Sequence, residues 1–160
     1  MADGAGFREN DLGVLSSRLL HAFQTELFQR LREQGFDDIV PRHGGVLAHL
    51  RPEGVRATDL ARRSGQLKQV VGVIVDELES LKYVERRPDP VDRRAKLVVP
   101  TRRGRAQMRA ATSIIADIMS RHEGALGADE FARFMATFKA VVDRQRAVTA
   151  EDAAEQDLIR

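Results

Sequence analysis

The sequence predicts a mainly helical fold with one small β-hairpin. Apolar residues recur at helical spacing through most of the chain, whereas residues 83–99 show two strand-like segments around a proline-containing turn. The composition is 42% hydrophobic but only 5% aromatic. We therefore expect one domain with a helical extension, and a core built mostly of Leu, Val, Ile and Phe.

The composition excludes several classes of protein. No stretch approaches about 18 consecutive apolar residues, and a basic-then-apolar signal pattern is missing, so we expect a cytoplasmic protein with no membrane partner. The absence of cysteine excludes disulfide scaffolds, thiol redox sensing and Cys-ligated zinc. The chain also has no GxSxG motif and no glycine-rich phosphate loop, so we expect neither an enzyme nor a cofactor.

The positive charge is concentrated in one segment. The whole chain has a net charge of +2. Residues 82–109 carry ten basic and three acidic side chains, a net +7, whereas residues 1–40 and 110–160 each have a net charge of −3. A basic patch of this kind suits a polyanion through phosphate neutralisation, although a solvated basic face has the same composition.

Two helices are predicted in the first third of the chain. Leucines and phenylalanines recur every three or four residues from Leu12 onward, which predicts a long amphipathic helix that Gly35 ends. Pro41 suits the first turn of a second, short helix. Gly44 and Gly45 weaken this second prediction, because a glycine inside a helix costs about 1 kcal/mol relative to alanine.

A pair of helices joined by a tight turn follows. We predict that Thr58 caps a helix over Asp59–Ser64, which ends at Gly65. The apolar residues on one face of a longer helix are Leu67, Val71, Ile74, Val75, Leu78 and Leu81. Helices of roughly 6 and 14 residues around a glycine-containing turn form a helix-turn-helix.

The next segment predicts a hairpin with a basic tip. Residues 83–87 and 95–99 are the strands, and residues 88–94 are the turn. Pro88 and Pro90 prevent further pairing, so the tip is a loop. A hairpin placed directly after a helix-turn-helix is a wing, and the predicted lobe is therefore a winged helix-turn-helix.

Two further helices complete the predicted architecture, the first of them capped by Thr101. We assign residues 41–100 to the DNA-binding lobe, residues 7–34 and 101–148 to dimerisation helices, and residues 149–160 to a polar tail. The outer helices carry more apolar surface than a small winged domain covers. We expect them to bury it in a homodimer, whose two-fold symmetry suits a palindromic operator.

This pattern resembles the MarR family of bacterial regulators over about residues 42–105. The matching residues are Leu60-Ala61-Arg62-Arg63-Ser64-Gly65, Lys68-Gln69, Val75-Asp76-Glu77-Leu78-Glu79, Tyr83 to Pro90, Asp92-Arg93-Arg94-Ala95-Lys96, Thr101 and Gly104. The resemblance implies six helices, of which the first, fifth and sixth form the dimer. It also implies a fourth helix in the major groove, a wing on the minor groove, and a repressor that a ligand releases from DNA.

The wing tip contains the first candidate site. Arg94 suits insertion into a narrow minor groove, where the potential is most negative. Asp92 either holds the Arg94 guanidinium or shapes the turn, and a surface ion pair of little consequence is the alternative. Arg93 and Lys96 are expected to contact phosphates, which positions a protein without reading sequence.

The outer face of the fourth helix is the second candidate site. Its residues are Gln66, Lys68, Gln69, Val70, Gly72 and Val73. Gln69 suits a bidentate contact to adenine and Lys68 a contact to guanine or phosphate. The sequence departs from the family here, since Leu67 replaces the usual Thr or Ser, and Val70, Gly72 and Val73 replace residues that are commonly polar.

Three readings of these apolar residues remain open. Val70 and Val73 contact thymine methyl groups, or the helix reads few base edges and leaves discrimination to DNA shape, or both valines pack inward. A winged-helix protein-interaction module without sequence-specific DNA binding is the alternative function. The apolar helix face favours that alternative, whereas the net +7 segment and Arg94 oppose it.

The histidines have two interpretations. None of them forms a helical metal-binding motif, so we expect no metal site. His21, His43 and His49 either border the effector pocket that the resemblance implies, where they would meet an anionic or aromatic ligand, or are partly exposed structural residues.

Overall fold

The computed structural model describes residues 10–158, with side chains described for residues 10–149. Within this range the elements are α1 (Leu12–Glu33), α2 (Pro41–Leu47), β1 (Val55–Arg56), α3 (Ala57–Ser64), α4 (Lys68–Ser80), β2 (Val84–Pro88), β3 (Lys96–Pro100), α5 (Arg102–Leu126) and α6 (Ala128–Leu158). The predicted mainly helical fold with a β-hairpin is confirmed. Residues 7–9, which we assigned to the first dimerisation helix, lie outside the described residues.

The chain divides into two compact units, the first ending at Ile115 and the second beginning at Ala116. The boundary therefore falls inside α5. No helix in the described part of the chain is long and apolar enough to cross a membrane.

Helix α1 is apolar along its length but is buried at one end only. Asp11 caps its N-terminus by accepting a hydrogen bond from the Val14 backbone N–H at 2.8 Å. Phe28 and Leu31 near the C-terminus are buried in the first unit. The exposed leucines of its N-terminal half are Leu12, Leu15, Leu19 and Leu20. This half of α1 therefore lacks an apolar partner within the described chain.

The core of the first unit lies among α2, α3 and α4. Its fully buried residues include Val46, Leu60, Val71, Val75 and Leu78. The predicted helix at Pro41 is confirmed despite its two glycines. A Cβ at Gly45 would lie 2.9 Å from the Gln66 amide nitrogen, so a larger residue there would displace the end of this side chain. Helix α2 therefore packs at Gly45 against the side chain of Gln66, in the turn that precedes α4.

The sheet has three antiparallel strands in the order β1-β3-β2. The wing strands are confirmed, each one residue later than predicted, and their register pairs Arg86 with Val98. Strand β1 was not predicted. It joins the edge of β3 by pairing Val55 with Val98, and two residues are too few to show the alternation that identifies a strand.

Two local predictions were wrong. Helix α3 begins at Ala57 with Arg56 at the N-cap position, so Thr58 lies inside the first turn and caps nothing. Leu67 is 73% exposed, because it occupies the extended N-cap position of α4 rather than the core face. The segment that we predicted as a polar tail is not separate from α6, because this helix continues to Leu158.

The start of α5 agrees with its prediction. The Thr101 hydroxyl accepts a hydrogen bond from the Gly104 backbone N–H at 3.1 Å, which is the expected cap. A Cβ at Gly104 would lie 2.0 Å from the Tyr83 carbonyl oxygen. Only glycine therefore allows α5 to begin this close to the strand that follows α4.

The second unit contains a ladder of aromatic rings. Phe131 is buried, and its ring stacks on Phe134 with a centroid distance of 6.4 Å. Phe134 stacks in turn on Phe138 at 5.6 Å. Phe134, Val141 and Val142 are nevertheless exposed. Like α1, α6 presents apolar surface that nothing in its own unit covers.

Candidate nucleic-acid interface

A buried carboxylate organises the wing tip. Asp89 is only 6% exposed, and one carboxylate oxygen accepts hydrogen bonds from the backbone N–H groups of Val91 at 2.8 Å and Asp92 at 3.3 Å. The other oxygen accepts from Arg56 Nε at 2.7 Å and lies 2.6 Å from its terminal nitrogen. The tip is thereby closed on itself and tied to the start of α3.

The charges of this pair reinforce each other. The hydrogen bond from Val91 and the bond from Arg56 together hold the pKa of the Asp89 carboxyl below its ordinary value. The Asp89 carboxylate in turn raises the pKa of the Arg56 guanidinium. Both groups are therefore ionised at neutral pH. The sequence identified the Asp89-Pro90 turn but not its partner, which is 33 residues away in the chain.

Beyond this anchor, the tip presents basic side chains to solvent. Arg93, Arg94 and Lys96 are all exposed. The Asp92 carboxylate accepts a hydrogen bond from the Arg94 backbone N–H at 3.1 Å. Of the two roles predicted for Asp92, the geometry therefore supports the shaping of the turn. Within residues 10–149, no carboxylate lies within ion-pair distance of the Arg94 guanidinium.

Elsewhere in the basic segment, three arginines form ion pairs with carboxylates of the same chain. The paired arginines are Arg86 with Asp76 and Glu79, Arg87 with Glu85, and Arg103 with Asp38. Desolvation lowers the pKa of the Arg86 guanidinium, but its hydrogen bonds to Asp76 and Glu79 outweigh this and raise it. Arg93, Arg94 and Lys96 at the wing tip therefore remain available to a partner, together with exposed basic residues elsewhere in the segment, such as Arg102 and Arg109.

The outer face of α4 is exposed and largely uncharged. Val70 is 44% and Val73 57% exposed, so the reading in which both pack inward is wrong. Lys68 and Gln69 are exposed beside them. A Cβ at Gly72 would have no neighbour within 4 Å. The packing of this chain does not require glycine there, and its effect is to leave the helix surface open to a close partner.

Gln66 departs from the predicted helix face. Its side-chain amide packs against Gly45, and its Oε1 atom is buried without a hydrogen-bond partner. The residue precedes α4, in the turn after α3, and this turn directs its side chain toward α2. The end of this side chain is therefore not on the exposed surface that carries Lys68 and Gln69.

A polar cluster that sequence reasoning missed lies at the junction of three elements. The Tyr83 hydroxyl donates to an Asp38 carboxylate oxygen at 2.5 Å, and the Arg103 guanidinium lies 2.9 Å from the same carboxylate. Arg103 also donates to the Leu81 carbonyl at 2.9 Å and stacks over the Tyr83 ring, 4.3 Å from its centroid. The cluster joins the loop after α1 to the end of α4 and the start of α5.

Burial and the adjacent Asp38 carboxylate raise the pKa of the Tyr83 phenol, so it remains a donor at neutral pH. The one available signal in the sequence was that Tyr83 is the only tyrosine. Its partners could not be found from spacing, because they are 45 and 20 residues away in the chain.

The structure does not bring the three candidate histidines together. His21 lines a cavity of about 670 Å³, together with Phe28 and Arg32. His43 is buried instead, and its Nδ1 accepts from the Val40 backbone N–H at 3.2 Å. His43 Nε2 lies 3.0 Å from the Glu77 carboxylate, so both ring nitrogens are engaged within the protein.

The prediction that His43 borders an effector pocket therefore lacks geometric support, since its ring connects α2 to α4. His49 is half-buried and is not among the residues lining the His21 cavity. In the described part of the chain, no cluster of three or more His, Asp or Glu side chains is placed to hold a metal ion.

Comparison with known proteins gives one family match. Residues 37–95, which include the helix-turn-helix and the wing tip, match the model of the MarR family. No curated protein matches the chain by sequence.

Solved structures match over nearly the whole chain. CouR from Rhodococcus jostii RHA1 bound to p-coumaroyl-CoA is 26% identical, with a TM-score of 0.68, covering 83% of this chain and 92% of its own. The transcriptional repressor CouR bound to a 23-mer DNA duplex is 22% identical, with a TM-score of 0.70. This match covers 89% of the present chain and 99% of the CouR chain. MepR in the S. aureus MepR–DNA complex is 21% identical, with a TM-score of 0.72. This match covers 86% of the present chain and 99% of the MepR chain. At their lower identity, the last two show the fold alone.

Proposed function

We propose that this chain is a DNA-binding transcriptional regulator of the MarR family, whose model matches residues 37–95, and that it acts as a homodimeric repressor that a small ligand releases from a palindromic operator. The observation that carries the proposal is the wing tip. There, the ion pair of the buried Asp89 carboxylate with Arg56 holds a loop that presents Arg93 and Arg94, neither of which has an acidic partner among the described side chains.

The wing tip suits the minor groove. A narrow minor groove concentrates negative potential and attracts an inserted arginine. Arg94 has an exposed side chain on a loop whose backbone is fixed by Asp89 and Asp92. Arg93 and Lys96 flank it and contact the adjacent phosphates. A preformed loop of this kind loses little conformational entropy when it binds.

Helix α4 occupies the major groove in this proposal. Gln69 contacts adenine, Lys68 contacts guanine or phosphate, and Val70 and Val73 contact thymine methyl groups. Their exposure in the free protein supports this arrangement. The same apolar face was the sequence feature that favoured a protein-interaction module, but the match of residues 37–95 to the MarR family supports DNA binding instead.

The apolar surfaces of α1 and α6 support a homodimer. Leu15 and Leu19 on α1 are exposed, as is Phe134 on α6, and each lies on a helix with further exposed apolar residues. Such surface is buried in stable oligomers. A two-fold dimer presents two wings and two α4 helices, which is why we propose a palindromic operator.

Ligand responsiveness rests on cavities near the DNA-binding lobe and on one relative. CouR has been solved with p-coumaroyl-CoA, and it shares 26% identity with this chain. In the present structure, α1 and α2 line cavities of about 670 Å³ and 340 Å³, which are within the ordinary range for ligand sites. A ligand there releases DNA if it favours a dimer geometry that does not match the operator.

The proposal is tested by selecting bound duplexes from a random pool and titrating the best one at several salt concentrations. We expect an inverted repeat. We also expect the logarithm of the association constant to fall linearly with the logarithm of the salt concentration. The slope should be about −0.9 for each phosphate that the protein contacts. Recovery of no inverted repeat, or salt-independent binding, would contradict the proposal.

The dimer has its own test. Leu15→Glu and Leu19→Glu together place charge on the exposed α1 surface and should produce monomers in sedimentation velocity. Val91→Glu makes the same kind of change at an exposed apolar residue of the wing and should leave the dimer intact. Point substitutions are preferable to deletion of α1, because Phe28 and Leu31 belong to the core. A stable dimer in the double variant would exclude this surface from the interface.

A further inference from the structure

We propose that Gln107 recognises the ligand of this regulator, and that the ligand is an uncharged, largely apolar molecule with a single hydrogen-bond donor. The inference rests on the proposed function, because it assumes that the protein responds to a ligand. It goes further by identifying the cavity, the recognising atom and the chemical class of the ligand.

The cavity lies between α1, α2 and α5. It has a volume of about 340 Å³, and most of its wall is aliphatic or aromatic, including Leu27, Phe28, Leu47, Met108 and Ile115. An apolar cavity of about 150 Å³ is sufficient to bind benzene. The present cavity therefore has room for a molecule of roughly two fused rings.

One polar atom in this wall has no partner. Gln107 lines the cavity and is 3% exposed, and its Oε1 atom is buried without a hydrogen bond. Among the described side chains, the only other such atom is Oε1 of Gln66. An unsatisfied buried acceptor costs about 1–3 kcal/mol, and native proteins rarely retain one. A donor on a bound molecule would satisfy Gln107.

The composition of the wall determines the charge of the ligand. None of the side chains that line this cavity is ionisable. Burying an unpaired charge among apolar groups is far more costly than burying a neutral polar group. The larger cavity differs, because Arg32, Glu33 and Asp37 line it together with His21. The anionic ligand that the histidines suggested from sequence therefore does not fit the Gln107 cavity.

Helix α2 connects the cavity to α4, the helix that carries the proposed DNA-binding surface. Gly44 and Leu47 of α2 form part of the wall. From the same helix, Arg42 and His43 each lie 3.0 Å from the Glu77 carboxylate of α4. A ligand that displaces α2 therefore acts on α4 through these two contacts.

The test uses the full-length protein and three probes of similar size. The probes are 2-naphthol, which has one donor, naphthalene, which has none, and 2-naphthoate, which is anionic. Equilibrium dialysis measures Kd for each. We expect wild-type protein to bind 2-naphthol roughly three- to tenfold more tightly than naphthalene, as one net hydrogen bond provides. It should bind 2-naphthoate more weakly than either.

The decisive variant is Gln107→Leu, which removes the acceptor and keeps a similar volume. The preference for 2-naphthol over naphthalene should fall to about one, while naphthalene binding is retained or improved. Retained naphthalene binding shows that the variant is folded and its cavity intact. Gln24→Leu is the matched control, because Gln24 lines the larger cavity, and it should keep the wild-type preference.

A second variant distinguishes loss of the cavity from loss of the fold. Ala111→Phe fills the cavity and should abolish binding of both neutral probes, while operator binding without ligand is unchanged. The inference is overturned if wild-type protein binds neither neutral probe, shows no preference for 2-naphthol, or keeps that preference after Gln107→Leu.

Operator binding separates this inference from the proposed function. If the probes fail while the ligand-free protein still binds its operator, the ligand class proposed here is wrong and DNA binding stands. If 2-naphthol binds through Gln107 but saturation leaves operator affinity unchanged, recognition by Gln107 is supported and the proposed release of DNA by a ligand fails.

Discussion

The wing tip and the outer face of α4 are both exposed, but they differ in chemistry and in how they are held. The tip carries Arg93 and Arg94 on a loop fixed by the ion pair between the buried Asp89 carboxylate and Arg56. The α4 face carries Val70 and Val73 on a helix without a side-chain N-cap. One surface is charged and the other is mostly apolar, although both are expected to contact the same duplex.

This difference separates affinity from specificity. Cationic groups supply the sequence-independent, salt-dependent part of binding to DNA. Specificity comes from base edges and from DNA shape, and two valines offer only methyl contacts where polar side chains would make bidentate bonds. We therefore expect the wing to supply most of the binding energy and α4 to supply a modest discrimination between sequences.

Arg94→Ala should have the largest effect on operator binding. Loss of a guanidinium from the minor groove should weaken binding by roughly 1–3 kcal/mol and leave the dimer intact. Fluorescence anisotropy with the selected operator measures the change. Arg144→Ala makes the same change of charge on α6 in the other compact unit and should have little effect. Equal losses for both variants would show that net charge, rather than the wing, is responsible.

Asp89→Asn should have a smaller effect, because Asp89 acts on the DNA only through the loop that it closes. Loss of the ion pair with Arg56 releases the tip and raises the entropic cost of placing Arg94 in the groove. The double variant with Arg94→Ala should bind about as well as Arg94→Ala alone. Additive losses in this double-mutant cycle would contradict a positioning role for Asp89.

The Asp89 pair also predicts a pH dependence of stability. Because the pKa of Asp89 is lowered in the folded protein, its contribution is complete above the ordinary carboxyl range, near pH 4. The contribution is lost as the pH falls through the lowered value. The difference in the free energy of unfolding between wild type and Asp89→Asn should therefore be constant near neutral pH and shrink in acid. A difference that grows in acid would contradict the assignment.

Local pattern predicted most of the elements. The helical spacing after Leu12, the cap at Thr101 and the loop at Pro90 are each signals within a few residues, and each prediction was confirmed. Pro88 was expected to stop strand pairing, but it is the last residue of β2 and pairs with Lys96. Exposure of Arg94 followed from the hairpin in the same way. These features depend on residues that are close together in the chain, so they can be predicted from the sequence.

What the sequence did not reveal depends on contacts between distant residues. Asp89 meets Arg56 across 33 positions, and Gln107 is notable only because a cavity leaves its amide oxygen unpaired. His43 carries no sign in the sequence that Glu77 will engage its ring. Leu67 was predicted to lie on the core face because we counted it as the first apolar residue of the helix. Helix α4 begins one residue later, at Lys68, and Leu67 is at its N-cap position.

Val73→Ala should have the smallest effect of the three substitutions on operator binding. Removal of two methyl groups from an exposed position should weaken binding by about 1 kcal/mol or less. The effect should be confined to operators with thymine at the contacted position, whereas the loss caused by Arg94→Ala should not depend on the base pair at that position. Competition with single-base variants of the operator distinguishes these patterns. A uniform loss across all variants would show that Val73 does not contact a base.

The central claim is that the wing arginine reads the minor groove, and base replacement in the operator tests it most directly. An inosine·cytosine pair matches guanine·cytosine in the major groove but lacks the guanine 2-amino group in the minor groove. At the adenine·thymine pairs beneath the wing, inosine·cytosine should leave the affinity of the wild-type protein nearly unchanged, whereas guanine·cytosine should weaken it. Equal weakening by both replacements would place the contact in the major groove and contradict the account.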